Sequence, residues 1–275
     1  SPEEKALLAR KPTDNLDAYD LFLRARDLVN REGNSVGTRT KQISLLERAV
    51  ALDPKFAQGW GELAVANAYW NFSGFEGTET ALARAKAAIE RARELAPDDP
   101  TVASSLGTYY YYGFRDYDRA NAIYEQLARQ QPNSPSLFNS LALIQRRQGK
   151  WPQSLANSRR AVELDPANLS YLRNLVSTLQ AGRRWNEAID TQRRISALQP
   201  ENLSDRYLVV EMAFSAFGSK REGEEFFAGL TPAERDSPEG LLLRQGWLQF
   251  TGDLAGFVRS DRIHPYLDER IGSRS

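Results

Sequence analysis

Apolar residues recur at intervals of three and four along most of the chain, and large and small side chains alternate within these intervals. Residues three and four apart share one face of an α-helix, so the spacing predicts amphipathic helices. One set of stretches recurs as Trp60-Leu63-Ala64, Ala103-Leu106-Gly107, Phe138-Leu141-Ala142 and Leu172-Leu175-Val176. A second set recurs between them as Ala85-Ile89-Ala92, Ala120-Tyr124-Leu127, Ser154-Ser158-Ala161 and Ala188-Gln192-Ile195. The pattern predicts pairs of antiparallel helices that approach closely at their small residues.

Prolines interrupt this helical pattern at a nearly constant spacing. They stand at Pro54, Pro97, Pro132, Pro166 and Pro200, which are 43, 35, 34 and 34 residues apart. Proline cannot continue a helix, so each one predicts a helix end. The spacing therefore predicts a tandem array of similar units.

Polar residues that favour helix starts follow these prolines. Asp99-Pro100 and Ser134-Pro135 predict two N-caps, because a polar side chain can accept a free backbone N–H and proline fits the first turn. Asn168 and Asn202 are the predicted caps of the next two units. The same capping logic predicts short helices after Thr231 and Ser237.

The period near 34, the helix stops and the small-residue offsets together resemble the tetratricopeptide repeat family over residues 16–200, most strongly over 97–200. The resemblance implies an all-α fold, a right-handed superhelical solenoid of antiparallel helix pairs. We expect residues 1–15 to form a leading helix, opened by a capping box at Ser1–Glu4, and a linker. Residues 16–230 would form about six hairpins, and residues 231–275 a C-terminal helical cap and tail.

Two units depart from the regular length. The first unit is predicted to have a lengthened turn over residues 30–38. The interval of 43 residues places about nine extra residues around Asn71–Gly77, within 71–79, where glycines and two phenylalanines occur. Such a loop is either a clamp for a ligand or a plug that covers the end of a helix pair.

Residues 2–26 carry a more specific resemblance. The run from Pro2 through Lys11-Pro12-Thr13-Asp14 to Arg26 looks like the junction in bacterial signalling proteins where a TolB-like domain passes into C-terminal tetratricopeptide repeats. The resemblance implies the repeat module of such a protein, with an adenylate or guanylate cyclase, kinase or winged-helix domain elsewhere in it. A start at Ser1 and a single methionine, Met212, fit a part excised from a longer chain.

Composition excludes several kinds of chemistry. The 36 basic and 36 acidic residues leave no net charge to attract nucleic acid or anionic lipid, so nucleic acid is not the favoured partner. Without cysteine, and with His264 as the single histidine, thiolate chemistry and multi-histidine metal sites are excluded. Adjacent carboxylates such as Glu224-Glu225 diverge on a helix. We therefore expect no enzyme activity, no cofactor and no metal.

Hydropathy gives no stretch of about 20 apolar residues, so we expect no membrane insertion by this chain. The cytoplasm is the favoured location, or the periplasm if the full-length protein has a membrane anchor. The sequence predicts no oligomeric state.

A partner is expected on the concave side of the array, which in this family is lined by the first helix of each pair. Residues 135–200 hold ten basic and four acidic side chains, a local charge of +6. These arginines either keep the helix surfaces solvated or form a groove that favours an acidic peptide or a C-terminal carboxylate. Aromatic and arginine side chains are common anchors at interfaces. The predicted groove residues are Tyr69, Thr108, Tyr111, Tyr112, Asn139, Leu143, Arg146, Arg147, Arg173, Ser177 and Tyr207.

The predicted function is a non-catalytic scaffold that binds a protein or peptide segment in this groove, within a bacterial signalling or regulatory protein. The alternative is a sensory domain that binds a small molecule or saccharide and regulates a fused cyclase, kinase or DNA-binding domain. Binding of single-stranded RNA is a further possibility that the tyrosines and the basic stretch leave open.

Overall fold

A computed structural model describes residues 12–75 and 77–253. The expected leading helix and its capping box, His264 and the tail from residue 254 lie outside the described residues. The chain divides into two compact units, residues 1–164 and 165–275. The predicted division at residues 15 and 230 stays a prediction.

The first unit is a series of antiparallel helix pairs in which each helix packs on the next. The described part of both units contains helices and no strands. The helices of the first unit are α1 (Leu16–Glu32), α2 (Val36–Leu52), α3 (Ala57–Phe72), α4 (Thr78–Leu95), α5 (Pro100–Tyr109), a π-helical turn (Tyr110–Phe114), α6 (Tyr117–Gln130), α7 (Pro135–Arg147) and α8 (Trp151–Leu164).

Helix ends follow the proline punctuation, and most predicted caps are confirmed. The Asp99 carboxylate accepts the backbone N–H groups of Thr101 and Val102, as an N-cap should. Ser134 stands at the start of α7, but the prediction that its side chain caps the helix is wrong. Its hydroxyl lies 3.1 Å from the Ser136 hydroxyl instead, and the first turn keeps no side-chain cap.

The prediction of a lengthened turn at residues 30–38 is wrong. Helix α1 continues to Glu32, and α2 begins at Val36 with Ser35 as its cap. Gly33 has φ 76°, a conformation that favours glycine, and it lets the chain reverse within three residues. Most of the residues at 30–38, which the polar sequence places in a turn, are therefore helical.

The nine extra residues of the second hairpin do not form a loop. Helix α3 has 16 residues against 13 in α7, and α4 has 18 against 14 in α8. The turn at residues 73–77, of which residue 76 lies outside the described part, is two residues longer than the turn at 148–150. These differences account for all nine. The insertion therefore lengthens both helices, and the turn is a minor part of it.

The π-helical turn explains the interval of 35 residues between Pro97 and Pro132. From Pro100 to Tyr117 the chain advances 17 positions, whereas from Pro135 to Trp151 it advances 16. One extra residue in a helix is accommodated by widening a single turn. Arg115 ends the turn with φ 54°, which is uncommon outside glycine.

The second unit begins with two further hairpins and ends in two helices. It contains α9 (Leu169–Ala181), α10 (Trp185–Leu198), α11 (Leu203–Phe217), α12 (Arg221–Ala228), α13 (Pro232–Arg235) and α14 (Pro238–Phe250). Asn168 and Asn202 cap α9 and α11 as predicted, and Thr231 and Glu234 form the predicted capping box. At one end of its core, Tyr207 and Val210 pack with Trp247.

Candidate functional site

Five aromatic side chains of the first unit lie together where three helical elements meet. Tyr69 and Phe72 are three residues apart on the last turn of α3 and therefore share a face. Tyr111 and Tyr112 belong to the π-helical turn, and Tyr117 starts α6. We call these five residues the aromatic surface.

Tyr112 is the centre of the aromatic surface. Its ring centroid lies 5.1 Å from Tyr69, 5.1 Å from Phe72 and 4.9 Å from Tyr111, in each case edge to face. Tyr117 extends the group beyond Tyr111 at 5.3 Å. Edge-to-face pairs at these separations are favourable, so the rings hold one another in place.

Burial raises the pKa of Tyr112 to about 12, and the neighbouring Tyr111 and Tyr69 act in the same direction. The Tyr112 hydroxyl is therefore neutral at physiological pH. All five residues are partly exposed.

Arginines border the aromatic surface on several sides. The Arg39 guanidinium lies 3.8 Å from the centroid of Tyr69, and that of Arg115 lies 5.6 Å from Phe72. Arg147 donates from Nε to the Tyr111 hydroxyl at 3.2 Å. Cations placed over aromatic faces are attracted to the ring quadrupole. Arg115 and Arg147 are exposed, so their charges also reach solvent.

Arg39 is held differently from the other two arginines. It is only 8% exposed and donates to Gln42 Oε1 at 2.7 Å and to Asn34 Oδ1. Its Nε is buried without a hydrogen-bond partner. Burial raises the pKa of Glu62, although the nearby charges of Arg26 and Arg39 oppose that shift. Glu62 is thus a carboxylate close to this positive group.

Helix α7 contributes the rest of the predicted residues of this unit, apart from Thr108. Burial lowers the pKa of Arg146, and the adjacent charge of Arg147 acts in the same direction. Asn139 and Leu143 are partly buried on the same helix. The Thr108 hydroxyl of α5 is engaged within the unit, because it hydrogen-bonds the Tyr124 hydroxyl at 2.7 Å and the Ser104 carbonyl at 3.0 Å.

The predicted residues of the second unit form a separate set. Arg173 pairs with the buried Asp205 at 2.8 Å and donates to Gln199 at 3.1 Å, so its guanidinium is engaged within the unit. Ser177 donates to the Arg173 carbonyl. Tyr207 is 4% exposed and belongs to the core, which corrects its assignment to a partner surface.

The local charge of +6 is more dispersed than the sequence indicates. Arg160, Arg184 and Arg193 each pair with a carboxylate three residues away in the sequence, and Arg173 pairs with Asp205 outside the counted range. Exposed pairs of this kind contribute little to stability. They do place negative charge beside the positive charge. Among residues 135–200, Arg146 and Arg147 are the basic residues whose charges act on Tyr111 of the aromatic surface.

Sequence reasoning misses Arg39, Phe72, Arg115 and Tyr117. The sequence pattern places Phe72 in a loop, although its spacing of three from Tyr69 is a helical signal. Arg39 directly follows the predicted lengthened turn and lies instead within the first turns of α2. No periodic signal marks Arg115 or Tyr117, because both follow the widened π-helical turn.

Residues 12–75 and 77–253 contain no cluster of three or more histidine, cysteine or acidic side chains suited to a metal ion. None of the described helices combines the length and apolar character needed to cross a bilayer.

No protein-family profile and no curated protein sequence matches this chain. Solved structures do match it. A crystal structure of TTC0263, a thermophilic TPR protein of Thermus thermophilus, aligns with a TM-score of 0.56 at 14% identity and covers 72% of this chain and 99% of its own.

Two further structures are similar over a larger share of the chain. PilW, a widely conserved type IV pilus biogenesis factor, aligns with a TM-score of 0.58 at 15% identity, covering 93% of this chain and 100% of its own. Yeast Tom70 aligns with a TM-score of 0.56 at 16% identity over 93% of this chain and 50% of its own. These likenesses confirm the predicted all-α tetratricopeptide-type fold.

Proposed function

We propose that the first unit is a non-catalytic binding module and that its aromatic surface captures a peptide segment of another protein. The observation that carries this proposal is the cluster of five partly exposed rings bordered by Arg39, Arg115 and Arg147. Tyrosine and arginine are among the residue types that most often anchor a protein partner. Similarity to tetratricopeptide-type structures agrees with a protein-binding role.

An acidic segment is the partner that this surface favours. Three arginines that are exposed or partly exposed, Arg115, Arg146 and Arg147, lie beside the rings. The buried Arg39 adds positive charge over Tyr69. Arginine can bind carboxylates through two parallel hydrogen bonds, and such bonds are stronger than those between neutral groups. The ring edges would contact the apolar parts of the peptide that lie between its acidic side chains.

The ring geometry favours a peptide over single-stranded nucleic acid. Base stacking requires open ring faces. Tyr112 instead meets Tyr69, Phe72 and Tyr111 at interplanar angles of 82°, 62° and 85°, so neighbouring rings cover one another's faces.

Charge reversal at Arg147 tests the peptide proposal. Selection from a random peptide library on the full chain should yield acidic sequences, measured for affinity by fluorescence anisotropy. Arg147→Glu should weaken them by about tenfold or more, because it loses the contact with Tyr111 and adds repulsion. Arg48→Glu is the matched control, since Arg48 is exposed and lies on the opposite side of α2 from Arg39.

Two outcomes would contradict the proposal. If Arg147→Glu and Arg48→Glu weaken the selected peptides equally, the aromatic surface is not their site. If Tyr112→Ala retains full affinity while remaining folded, the rings do not contribute. Arg173→Glu is unsuitable for this test, because it would leave the buried Asp205 without its partner.

We further propose that the chain is the repeat module of a larger bacterial signalling protein. The support is the resemblance of residues 2–26 to the junction that follows a TolB-like domain. The coding sequence upstream of Ser1 tests this proposal directly. A cyclase, kinase or winged-helix domain in the same reading frame is expected, and a reading frame with none of them would contradict it.

A further inference from the structure

A cleft of the first unit lies between α4, the second half of α5, the π-helical turn and the start of α6. This cleft has a volume of about 650 Å³. Small-molecule sites in proteins occupy roughly 300–1,000 Å³ and are mainly apolar with a few polar groups. Its apolar lining consists of Leu82, Ala83, Ile89, Leu106, Tyr109, Tyr110 and Phe114.

Three aromatic rings meet at one end of the cleft. Phe114 lies 5.2 Å from Tyr109 and 6.4 Å from Tyr110, and the two tyrosines are 5.6 Å apart. Tyr109 is buried, whereas Phe114 is 51% exposed at the end of the π-helical turn. An exposed phenylalanine beside the buried Tyr109 and the partly buried Tyr110 offers a further ring an edge or a face to pack on.

The charged side chains around the cleft balance. Three are acidic and three are basic: Glu79, Glu90, Asp116, Lys86, Arg93 and Arg119. Lys86 lies 3.9 Å from Glu90, and Arg119 lies 3.2 Å from Asp116, so two of the basic groups already have partners. A balanced set does not favour a ligand of either sign.

The π-helical turn gives the cleft its aromatic end. Tyr110 and Phe114 line the cleft, while Tyr111 and Tyr112 of the same turn belong to the aromatic surface. Asn71 of α3 donates to the Gly113 carbonyl at 3.1 Å, and the Asp116 N–H donates to the Tyr110 carbonyl at 3.1 Å. These bonds fix the turn from both sides. The rings of the cleft are thus preorganised.

The equivalent position of the preceding hairpin lacks these features. A cleft of about 430 Å³ lies there, between α2 and the ends of α3 and α4. Its lining includes Thr40, Ser44, Asn67 and Thr80, and Trp70 is the one aromatic residue among the lining residues described. The aromatic end is therefore not a general consequence of packing one hairpin on the next.

We propose that the cleft between α4 and the π-helical turn is a binding site for a small aromatic molecule of no net charge. Its volume falls in the range of small-molecule sites, its three rings select an aromatic group, and its balanced rim disfavours ions. Its lining residues differ from those of the aromatic surface, so ligand binding to the cleft can be measured without a bound peptide.

Binding of indole to the full chain tests the site. The methyl resonances of Leu82, Ile89 and Leu106 should shift and saturate as indole is added, because these side chains line the cleft. Benzoate, benzylamine and cyclohexanol should each bind at least about tenfold more weakly, since they carry a charge or lack an aromatic ring. If indole does not saturate these shifts, or if a charged probe binds as well, the proposal fails.

A pair of exposed alanines on α4 supplies matched variants. Ala83→Trp places an indole ring of the protein in the cleft, and it should weaken indole binding by about tenfold or more. Ala87→Trp makes the same change at an exposed position that does not line the cleft, and it should leave binding unchanged. Equal affinity in the two variants would overturn the assignment.

Phe114→Leu provides a variant that keeps an apolar side chain at an exposed position and removes only the ring. It should weaken indole binding several-fold, whereas the affinity for cyclohexanol should stay the same. Unchanged indole affinity in Phe114→Leu would show that the rings do not select the ligand.

Discussion

Gly107 packs so closely against Tyr124 that no side chain fits at this position. A Cβ atom at this position would lie 2.7 Å from Cε2 of Tyr124, well inside normal contact. The Tyr124 ring cannot easily move, because its hydroxyl bonds Thr108 and the Ser104 carbonyl. Gly61 stands in a similar relation to Ser105 on the neighbouring helix. Small residues at these offsets thus permit the close helix approach that the sequence pattern predicts.

Gly107→Ala should destabilise the first unit by about 1–3 kcal/mol, since the added methyl group overpacks the contact with Tyr124. Gly37→Ala is the control, because its Cβ would meet nothing closer than 3.9 Å on an exposed first turn. Chemical denaturation measures both free energies of unfolding. A Gly107→Ala protein as stable as the Gly37→Ala protein would show that this contact relaxes without cost.

At the residue scale, the sequence predicts which helix face a side chain lies on better than it predicts whether that side chain is buried or paired. Helical offsets place Tyr69, Tyr111 and Tyr112 among groove positions, and the structure brings these three together. The same reasoning places Tyr207 there, yet its ring is buried. Offsets cannot show that Asp205 engages Arg173, because ion pairs between helices depend on three-dimensional proximity.

Helix ends are the elements that the sequence predicts best. Proline removes a donor and fixes φ, so its effect is local and Leu52, Leu95 and Leu164 end their helices as expected. Insertions are predicted less well, because extra residues can extend a helix as readily as a loop. The nine residues of the second hairpin lengthen mainly α3 and α4, and the single extra residue before Tyr117 widens one turn. Packing against neighbouring helices decides between these solutions.

Deletion of Gly113 tests the origin of the π-helical turn. Removal of one residue restores the spacing of the regular hairpins, so we expect a folded protein with an unchanged far-ultraviolet circular dichroism spectrum. Acidic peptides should bind at least about tenfold more weakly, because Tyr111 and Tyr112 rotate away from Tyr69.

Deletion of Ser140 is the control, because it removes a residue from α7, where the spacing is already regular. It rotates Leu141 or Leu137 out of the core and should cost at least about 2 kcal/mol. If the two deletions lower the free energy of unfolding equally, the π-helical turn does not accommodate the extra residue.

The whole molecule consists of two units, each with its own buried residues. The first contains Phe22, Leu46, Phe56 and Leu141, and the second contains Leu172, Ile195 and Val210. Repeat arrays depend mainly on contacts between neighbouring hairpins, so part of an array can fold alone. The chain as a whole is neutral, and the proposed specificity therefore depends on local groups of the first unit.

A fragment of residues 12–164 should fold cooperatively and bind the selected acidic peptides with the affinity of the full chain, because it holds the aromatic surface and its arginines. Thermal melting and fluorescence anisotropy check the two expectations. A folded fragment that has lost affinity would place part of the peptide site in the second unit.

The π-helical turn also bears on how such arrays can diversify. A substitution changes one side chain, whereas a single inserted codon in the first helix of a hairpin turns several side chains to new directions at once. The following helix keeps its register, since the widened turn absorbs the added residue before Tyr117. A repeat scaffold can therefore acquire a new recognition surface through one short insertion while its inherited packing is preserved.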